Sequence, residues 1–419
     1  MHNHSKKVSL VSCFLFALLN ISTTSQATEY IQFSEKNIEA VKASLQNNTA
    51  HSVTKKAYHH LINVADLALI MKAPSVIDKT FIPPSKTKHD YLSISRYWWP
   101  NPQSSNGLPW IRKDGVTNPN TQTDDVDRQR LGKVTNAIKN LSLAYYFSNE
   151  DKYAKKSVEL ITTWFLNNKT KMNPHFQYSQ SVPGNPKGRR SGILDGRLIP
   201  ERVLDSLTLL STSKHWTTRK NEQMNMWLND YLIWLTKSEL GQSGAKQTNN
   251  HGSWYRFQVS ALAWYLKKNQ ILIDTIADTK NSFNDQFTAK GAQEHELQRT
   301  RGFFYSCFNL TALSRIATIA EKTNLSLWQY KSNKGRTLKG AIDYLMPVTR
   351  GEQWPHSSKK LDVSYLTPLL GEIMKYQPEI QYEKALTDIL TTYANQGELK
   401  PHQQSTLFEF GLFNPQFFK

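Results

Sequence analysis

The sequence predicts an all-α chain folded as an (α/α) toroid, or incomplete barrel, of about five to seven helical hairpins. Three observations carry that expectation. Apolar residues recur at i, i+3 and i+4 through most of the chain, strand-like alternation is scarce, and the helical stretches come in pairs separated by short polar loops. No long linker or low-complexity tract divides the chain, so residues 28–419 are expected to form a single domain.

The first element is a leader. Lys6 and Lys7 precede an apolar run from Val8 to Ile21, and Ser25-Gln26-Ala27 supplies the small-x-small pattern of a signal-peptidase site. Residues 1–27 are therefore expected to be a signal peptide cleaved after Ala27. The run is shorter than the ~20 residues needed to span a bilayer, and Cys13 lies inside it and not at the cleavage site. These features predict a periplasmic or secreted protein with no membrane segment after cleavage.

Helical stripes follow in order. They cover Val53 to Leu67, then Leu131, Val134, Ile138, Leu141 and Tyr145, then Tyr153 to Trp164. Met224, Trp227, Tyr231 and Trp234 form another, and Tyr305 to Ile319, Arg336 to Leu345 and Tyr382 to Tyr393 complete the set. Asp151 is expected to cap its helix, and Pro200 suits a first helical turn. Two irregular stretches, Phe81 to Asp127 and Lys171 to Arg197, interrupt the pattern. Loops this long in a compact domain are commonly functional, and theirs are rich in aromatic residues and arginine.

Cleavage would leave Cys307 as the one cysteine, so the fold has no internal disulfide to rely on and must be held by a large core. The formal charge of +18 becomes +16 once Lys6 and Lys7 leave with the leader. Such an excess attracts polyanions. No nucleic-acid motif is present, and an exported basic protein points to acidic polysaccharide as its partner. Oligomeric state is not legible.

Chemistry concentrates in two segments. Asn249-Asn250-His251-Gly252-Ser253-Trp254-Tyr255 brings together two amides, an imidazole and two aromatic rings, and Arg299-Thr300-Arg301-Gly302-Phe303-Phe304-Tyr305 adds guanidinium groups and a phenol. Breaking a 4-linked uronate chain by β-elimination needs such groups. The C5 proton is weakly acidic beside a carboxylate, so donors must offset the charge that builds up. A base must take the proton and an acid must protonate the departing O4. Asn250 can donate to the carboxylate, His251 can donate or act as base, and Tyr305 can move a proton if a cation such as Arg299 lowers its pKa. Candidate substrate contacts are Arg96, Tyr97, Trp98, Trp99, Gln180, Arg189, Arg190, Asn249, Trp254 and Arg301. His59 and His60 have no metal-ligand partners at useful spacing, and no metal or cofactor site is expected.

The Asn249 to Trp254 segment resembles the Asn-Asn-His signature of the alginate lyase superfamily, polysaccharide lyase family five and its relatives. Arg96-Tyr97-Trp98-Trp99-Pro100-Asn101-Pro102, Gly107-Leu108-Pro109-Trp110-Ile111-Arg112-Lys113-Asp114-Gly115 and Thr170-Lys171-Met172-Asn173-Pro174 are similar to the branch that includes family thirty-eight. With Arg299, Thr300 and Tyr305 the resemblance spans residues 90–313. It implies a helical toroid, polyuronate lyase activity and no required metal. It also implies carboxylate neutralisation by Asn250, a base or neutralising role for His251, supporting charge from Arg299 and proton transfer by Tyr305. The arginine-to-tyrosine spacing departs slightly from that of better-known members, which leaves Arg301 as an alternative to Arg299.

Mannuronate-rich alginate is the leading expected substrate, with glucuronan the alternative under the same mechanism. A toroid glycoside hydrolase would need two carboxylic acids flanking the bond, for which Asp124, Asp125, Asp127 and Asp195 are available. A non-catalytic protein that binds acidic polysaccharide is the third reading.

Overall fold

The computed structural model describes residues 30–185, 192–357 and 361–418. Residues 1–27, expected to be a leader, and the candidate contacts Arg189 and Arg190 lie outside the described residues. Helices dominate, as the apolar spacing requires. In chain order they are α1 Glu35–Gln46, α2 Ser52–Leu69, α3 Arg128–Ser148, α4 Asp151–Ile161, α5 Leu198–Arg202 and α6 Leu204–Leu210. Next come α7 Thr218–Lys237, α8 Glu239–Ala245, α9 Asn250–Tyr265, α10 Asn269–Gln286 and α11 Glu294–Leu297. The last five are α12 Gly302–Glu321, α13 Leu338–Asp343, α14 Thr367–Tyr376, α15 Ile380–Asn395 and α16 Pro401–Phe413.

Consecutive helices pack as hairpins, α3 on α4, α9 on α10 and α14 on α15. The ring closes when α16, near the chain's end, packs along α2, near its start. α9 and α12 share the most extensive helix contact, and residues Asn250 to Ala263 of α9 are buried without interruption. One large apolar cluster runs through the molecule, and it includes Trp164, Trp254 and Trp328, each fully buried. Cys307 is free and buried in it.

Two sequence expectations shift locally. Asp151 is the first residue of α4, not its cap, and its carboxylate instead takes His215 Nε2 at 2.8 Å and Lys214 Nζ at 3.2 Å. The helix expected over Arg336 to Leu345 narrows to α13, because Thr337 caps it by accepting from the Gly340 N–H.

The two irregular stretches are ordered against each other over the described residues. β1 (Leu92–Ile94) pairs in parallel with β4 (Tyr178–Ser181), joining one stretch to the other. Between them β2 (Trp98–Trp99) and β3 (Ile111–Arg112) form an antiparallel pair, with Trp98 opposite Arg112 and Trp99 opposite Ile111. A small apolar cluster of Leu92, Ile94 and Val126 sits beneath. The first stretch is anchored by Asp127, wholly buried, which pairs with Lys79 at 2.9 Å and Arg130 at 3.0 Å and accepts the Leu92 N–H at 2.9 Å. Burial pushes the Asp127 carboxyl up to about 6 against the pull of Lys79. Stranding a buried charge costs ~3–5 kcal/mol, and the two cations on Asp127 guard against it, since loss of either leaves the other in place.

Candidate active site

The Asn-Asn-His-Gly segment is the N-terminus of α9. Asn249 is extended and caps the helix, its Oδ1 accepting the His251 N–H at 3.0 Å. Gly252 follows because a Cβ there would lie 1.9 Å from the Gln247 carbonyl oxygen. Asn250 is 1% exposed and turned to the short helix α11, where its backbone N–H donates to Glu296 Oε1 at 2.6 Å. Its amide Nδ2 donates to the same carboxylate at 2.8 and 3.0 Å. Burial pushes the Glu296 carboxyl up to about 7, opposed by the hydrogen bonds from Asn250 and the field of Arg299.

Arg299 lies just past α11. Its Nη2 donates to Asp114 Oδ1 at 2.7 Å, with Nε 3.2 Å from both carboxylate oxygens. The Thr300 N–H and hydroxyl bind Asp114 as well, each at 3.1 Å. Burial alone would raise the Asp114 carboxyl, but Arg299, Thr300 and Arg112 hold it well below the usual range. So clamped, the Arg299 guanidinium lies 3.8 Å from the centre of the Tyr305 ring.

Tyr305 stands in the first turn of α12 and donates its hydroxyl hydrogen to the Tyr97 hydroxyl at 3.1 Å. Its pKa is raised, not lowered as the sequence suggested. Burial is the largest cause, the Tyr97 hydrogen bond adds to it, and the opposing charge of Arg299 is outweighed. Arg96 lies over the Tyr97 ring at 5.9 Å, and its buried Nε has no hydrogen-bond partner among the described residues. Burial and the nearby Arg128 lower the Arg96 pKa. The charges of both arginines reach Tyr305.

Behind these groups Asp195 accepts from Arg128 Nη1 at 2.9 Å, Ser93 Oγ at 2.6 Å, Tyr91 at 3.0 Å and Gln180 Nε2 at 3.2 Å. Gln180 is held at a φ of 48°, a left-handed conformation uncommon outside glycine. Its N–H donates to Ser93 Oγ at 2.7 Å.

The fold thus gathers Asn250, Arg299, Tyr305, Tyr97 and Arg96 around one corner, with His251 following Asn250 on α9. Arg301 is turned aside, its Nη2 donating to the Tyr365 hydroxyl at 3.2 Å and its guanidinium 4.3 Å over Phe304. Trp99 donates from Nε1 to the Val116 carbonyl at 3.1 Å, with Lys113 5.0 Å over its ring. Trp254, a candidate contact from sequence, is 1% exposed and tilted against Phe308 at 4.8 Å, so it is a core residue. Over Asn250 to Ala263 α9 has no solvent face, and a tryptophan there is covered whichever way it points.

Four residues of the constellation escaped the sequence reading as site members. Asp114 lay inside a quoted motif, but nothing marked it as the clamp on Arg299. Arg128 begins α3 at the edge of an irregular stretch, and Asp195 was considered only as a hydrolase acid. Glu296 carries no local signal beyond standing three residues before Arg299. The carboxylates proposed for hydrolysis do not form a pair flanking a cleft. Asp127 and Asp195 are buried in their ion pairs, Asp124 lies 3.7 Å from Lys133 at the surface, and Asp125 binds Thr80 and Thr123.

The model of the alginate lyase family matches residues 75–354. An alginate lyase from Bacteroides ovatus is 31% identical with a TM-score of 0.81, over 91% of this chain and 99% of that one. Alginate lyase A1-III from Sphingomonas species A1 superposes with a TM-score of 0.52 at 15% identity, over 82% of this chain and 88% of that one. A histidine-to-alanine variant of A1-III complexed with a tetrasaccharide gives 0.53 at 16% identity, over 85% and 91%. At such identities the A1-III likeness concerns the fold. A comparison with curated proteins gives no match.

Proposed function

The chain belongs to the alginate lyase family and is a polysaccharide lyase, and on that premise we propose that it is an exported enzyme cleaving 4-linked polyuronate by β-elimination, with mannuronate-rich alginate as its preferred substrate. The observation that carries this reading is the Tyr305 hydroxyl, held on Tyr97, with Arg299 against the ring and Arg96 alongside. A related lyase variant holds a tetrasaccharide, which supports an oligosaccharide-binding cleft of the same kind here.

Each group has a task. The cations neutralise the uronate carboxylate and so acidify C5–H. Tyr305, raised in pKa, is protonated in the resting protein and suited to donate to O4. In β-mannuronate and β-glucuronate the C5 hydrogen and O4 lie on the same face of the ring. One residue on that face can take the first proton as phenolate and return it to O4, finishing as phenolate again, so the resting Tyr305 phenol must first release its own proton to solvent, against its raised pKa. Arg299, Arg96 and Arg128 supply the positive field that a phenolate needs.

A second reading gives the base role to His251, and the raised pKa of Tyr305 favours it. Guluronate, whose C5 hydrogen and O4 lie on opposite faces, would require that two-residue arrangement. Initial rates on polymannuronate, polyguluronate and glucuronan, followed by ultraviolet absorbance of the unsaturated product, separate the readings. Preference for polyguluronate overturns the single-tyrosine mechanism, and products lacking that absorbance overturn elimination itself.

A further inference from the structure

Asn250 is turned the wrong way for its task. Its Nδ2, the donor that would meet a uronate carboxylate, is spent on Glu296, while its Oδ1 is buried with no hydrogen-bond partner among the described residues. An amide has a donor and an acceptor at opposite corners, so turning it over exchanges the two. The orphan position then becomes an N–H donor, the polarity an incoming carboxylate takes. Oδ1 would in turn face Glu296 Oε2, 2.8 Å from the amide corner it would occupy. Two acceptors at that distance repel unless one carries a proton.

Resting on the polyuronate reading above, we propose that Glu296 is a proton-coupled positioning residue: its carboxyl takes up one proton as substrate binds, donates it to Asn250 Oδ1, and so turns Nδ2 toward the uronate carboxylate. The backbone N–H of Asn250, 2.6 Å from Oε1, keeps the other carboxyl oxygen engaged in both states. The proton comes from solvent and no covalent bond changes elsewhere.

Burial already brings the Glu296 carboxyl to about 7, so the proton is available near neutrality. Arg299 follows on the chain, with Asp114 behind it and Tyr305 of α12 beneath it. His251 stands next to Asn250 on α9. On its own helix, Glu294 is one neighbour and His295 the other, the latter turned to Thr248 Oγ1 at 3.3 Å. Arg299 is the charge felt at Glu296, and it favours the ionised resting state. A bound uronate carboxylate brings the opposite charge and favours protonation.

The test uses the full-length protein with Tyr305→Phe to prevent turnover and a mannuronate tetrasaccharide as probe. Titration calorimetry at pH 8 in phosphate and in Tris reads proton uptake from the difference in apparent heat. We expect uptake of about one proton per site, and an affinity that falls about a hundredfold from pH 6 to pH 9. Glu296→Gln, which can accept from the Asn250 N–H and donate to its Oδ1, should bind with little pH dependence and without that uptake. Any contribution of His251 persists in both proteins and cancels in the comparison. Equal proton uptake in the two proteins, or none in either, overturns the inference while leaving the lyase reading intact. Failure of the tetrasaccharide to bind overturns both. In the ligand-free protein, an infrared carbonyl band of a protonated carboxyl, present at pH 6 and absent from Glu296→Gln, is expected, and its absence overturns the proton-coupled role.

Discussion

In the proposed mechanism Tyr305 is the residue on which the chemistry turns, and removing one oxygen tests it. Tyr305→Phe keeps the ring under Arg299 and the packing of the first turn of α12, so folding and substrate binding should persist while turnover falls by ~10²–10⁴ or more. Retention of near-parental kcat would remove Tyr305 from the mechanism. Asn250→Ala is expected to lower kcat far more than it raises KM, because the amide matters most as charge accumulates. A change confined to KM would make it a binding residue. Glu296 also leaves a thermodynamic mark. Its folded pKa of about 7 is above the ordinary 4.5, so the folded protein holds a proton that an unfolded chain releases. The resulting stabilisation is complete below pH 4.5 and is lost as pH rises through 7, worth about 3 kcal/mol over that window. Thermal melts should show this slope in the parent and a flatter one in Glu296→Gln. The residues proposed to bear chemistry were legible in the sequence because imidazole, phenol and guanidinium groups are scarce and clustered. The carboxylates that orient them were not, since an aspartate such as Asp114 acquires its meaning only from what lies 185 positions away in the chain.

Among the elements, those with one wet face were the easiest to place. α2, α3, α7 and α15 carry apolar stripes because solvent covers their other side, and periodicity found them. α9 is buried on every side over Asn250 to Ala263, so its sequence has no stripe, and its start was recognised by its motif alone. The hairpin β2–β3 was invisible for a different reason: two-residue strands show no alternation to detect. That hairpin nevertheless supplies the Asp114 clamp from just beyond β3. Asp114→Asn should free Arg299 from the tyrosine ring and reduce kcat by at least tenfold, with the melting temperature changing by only a few degrees. Unchanged kcat would mean that Arg299 holds its place without the clamp. Anchoring of the same stretch by Lys79 and Asp127 predicts a larger penalty deeper down. Lys79→Met, which leaves the buried Asp127 carboxylate with Arg130 as its remaining cation, is expected to cost ~1.5–3 kcal/mol in denaturant unfolding. A loss under 1 kcal/mol would show that Lys79 is not the anchor of this stretch and that Arg130 suffices for Asp127.

For the molecule as a whole, the ring of helices was foreseen from paired helical stretches and its size bounded at about five to seven hairpins, whereas its closure by α16 on α2 was not, because no repeat is sharp enough to show which helices meet. The formal charge of +18 has a direct consequence for binding. KM for a polyuronate should rise with sodium chloride between 50 and 500 mM while kcat changes little, since screening shortens the reach of the protein's field to a few ångströms. A KM indifferent to salt would make the charge incidental. The parallel pairing of Leu92–Ile94 with Tyr178–Ser181 has a further consequence, for how such an enzyme can be re-engineered or diversify. The two stretches around the site are inherited separately along the chain but share one hydrogen-bonded seam, so neither is an interchangeable cassette. A chimera that imports one stretch from a relative should misfold at the seam unless the other comes with it, and new substrate preferences are expected to arise by paired exchange of both.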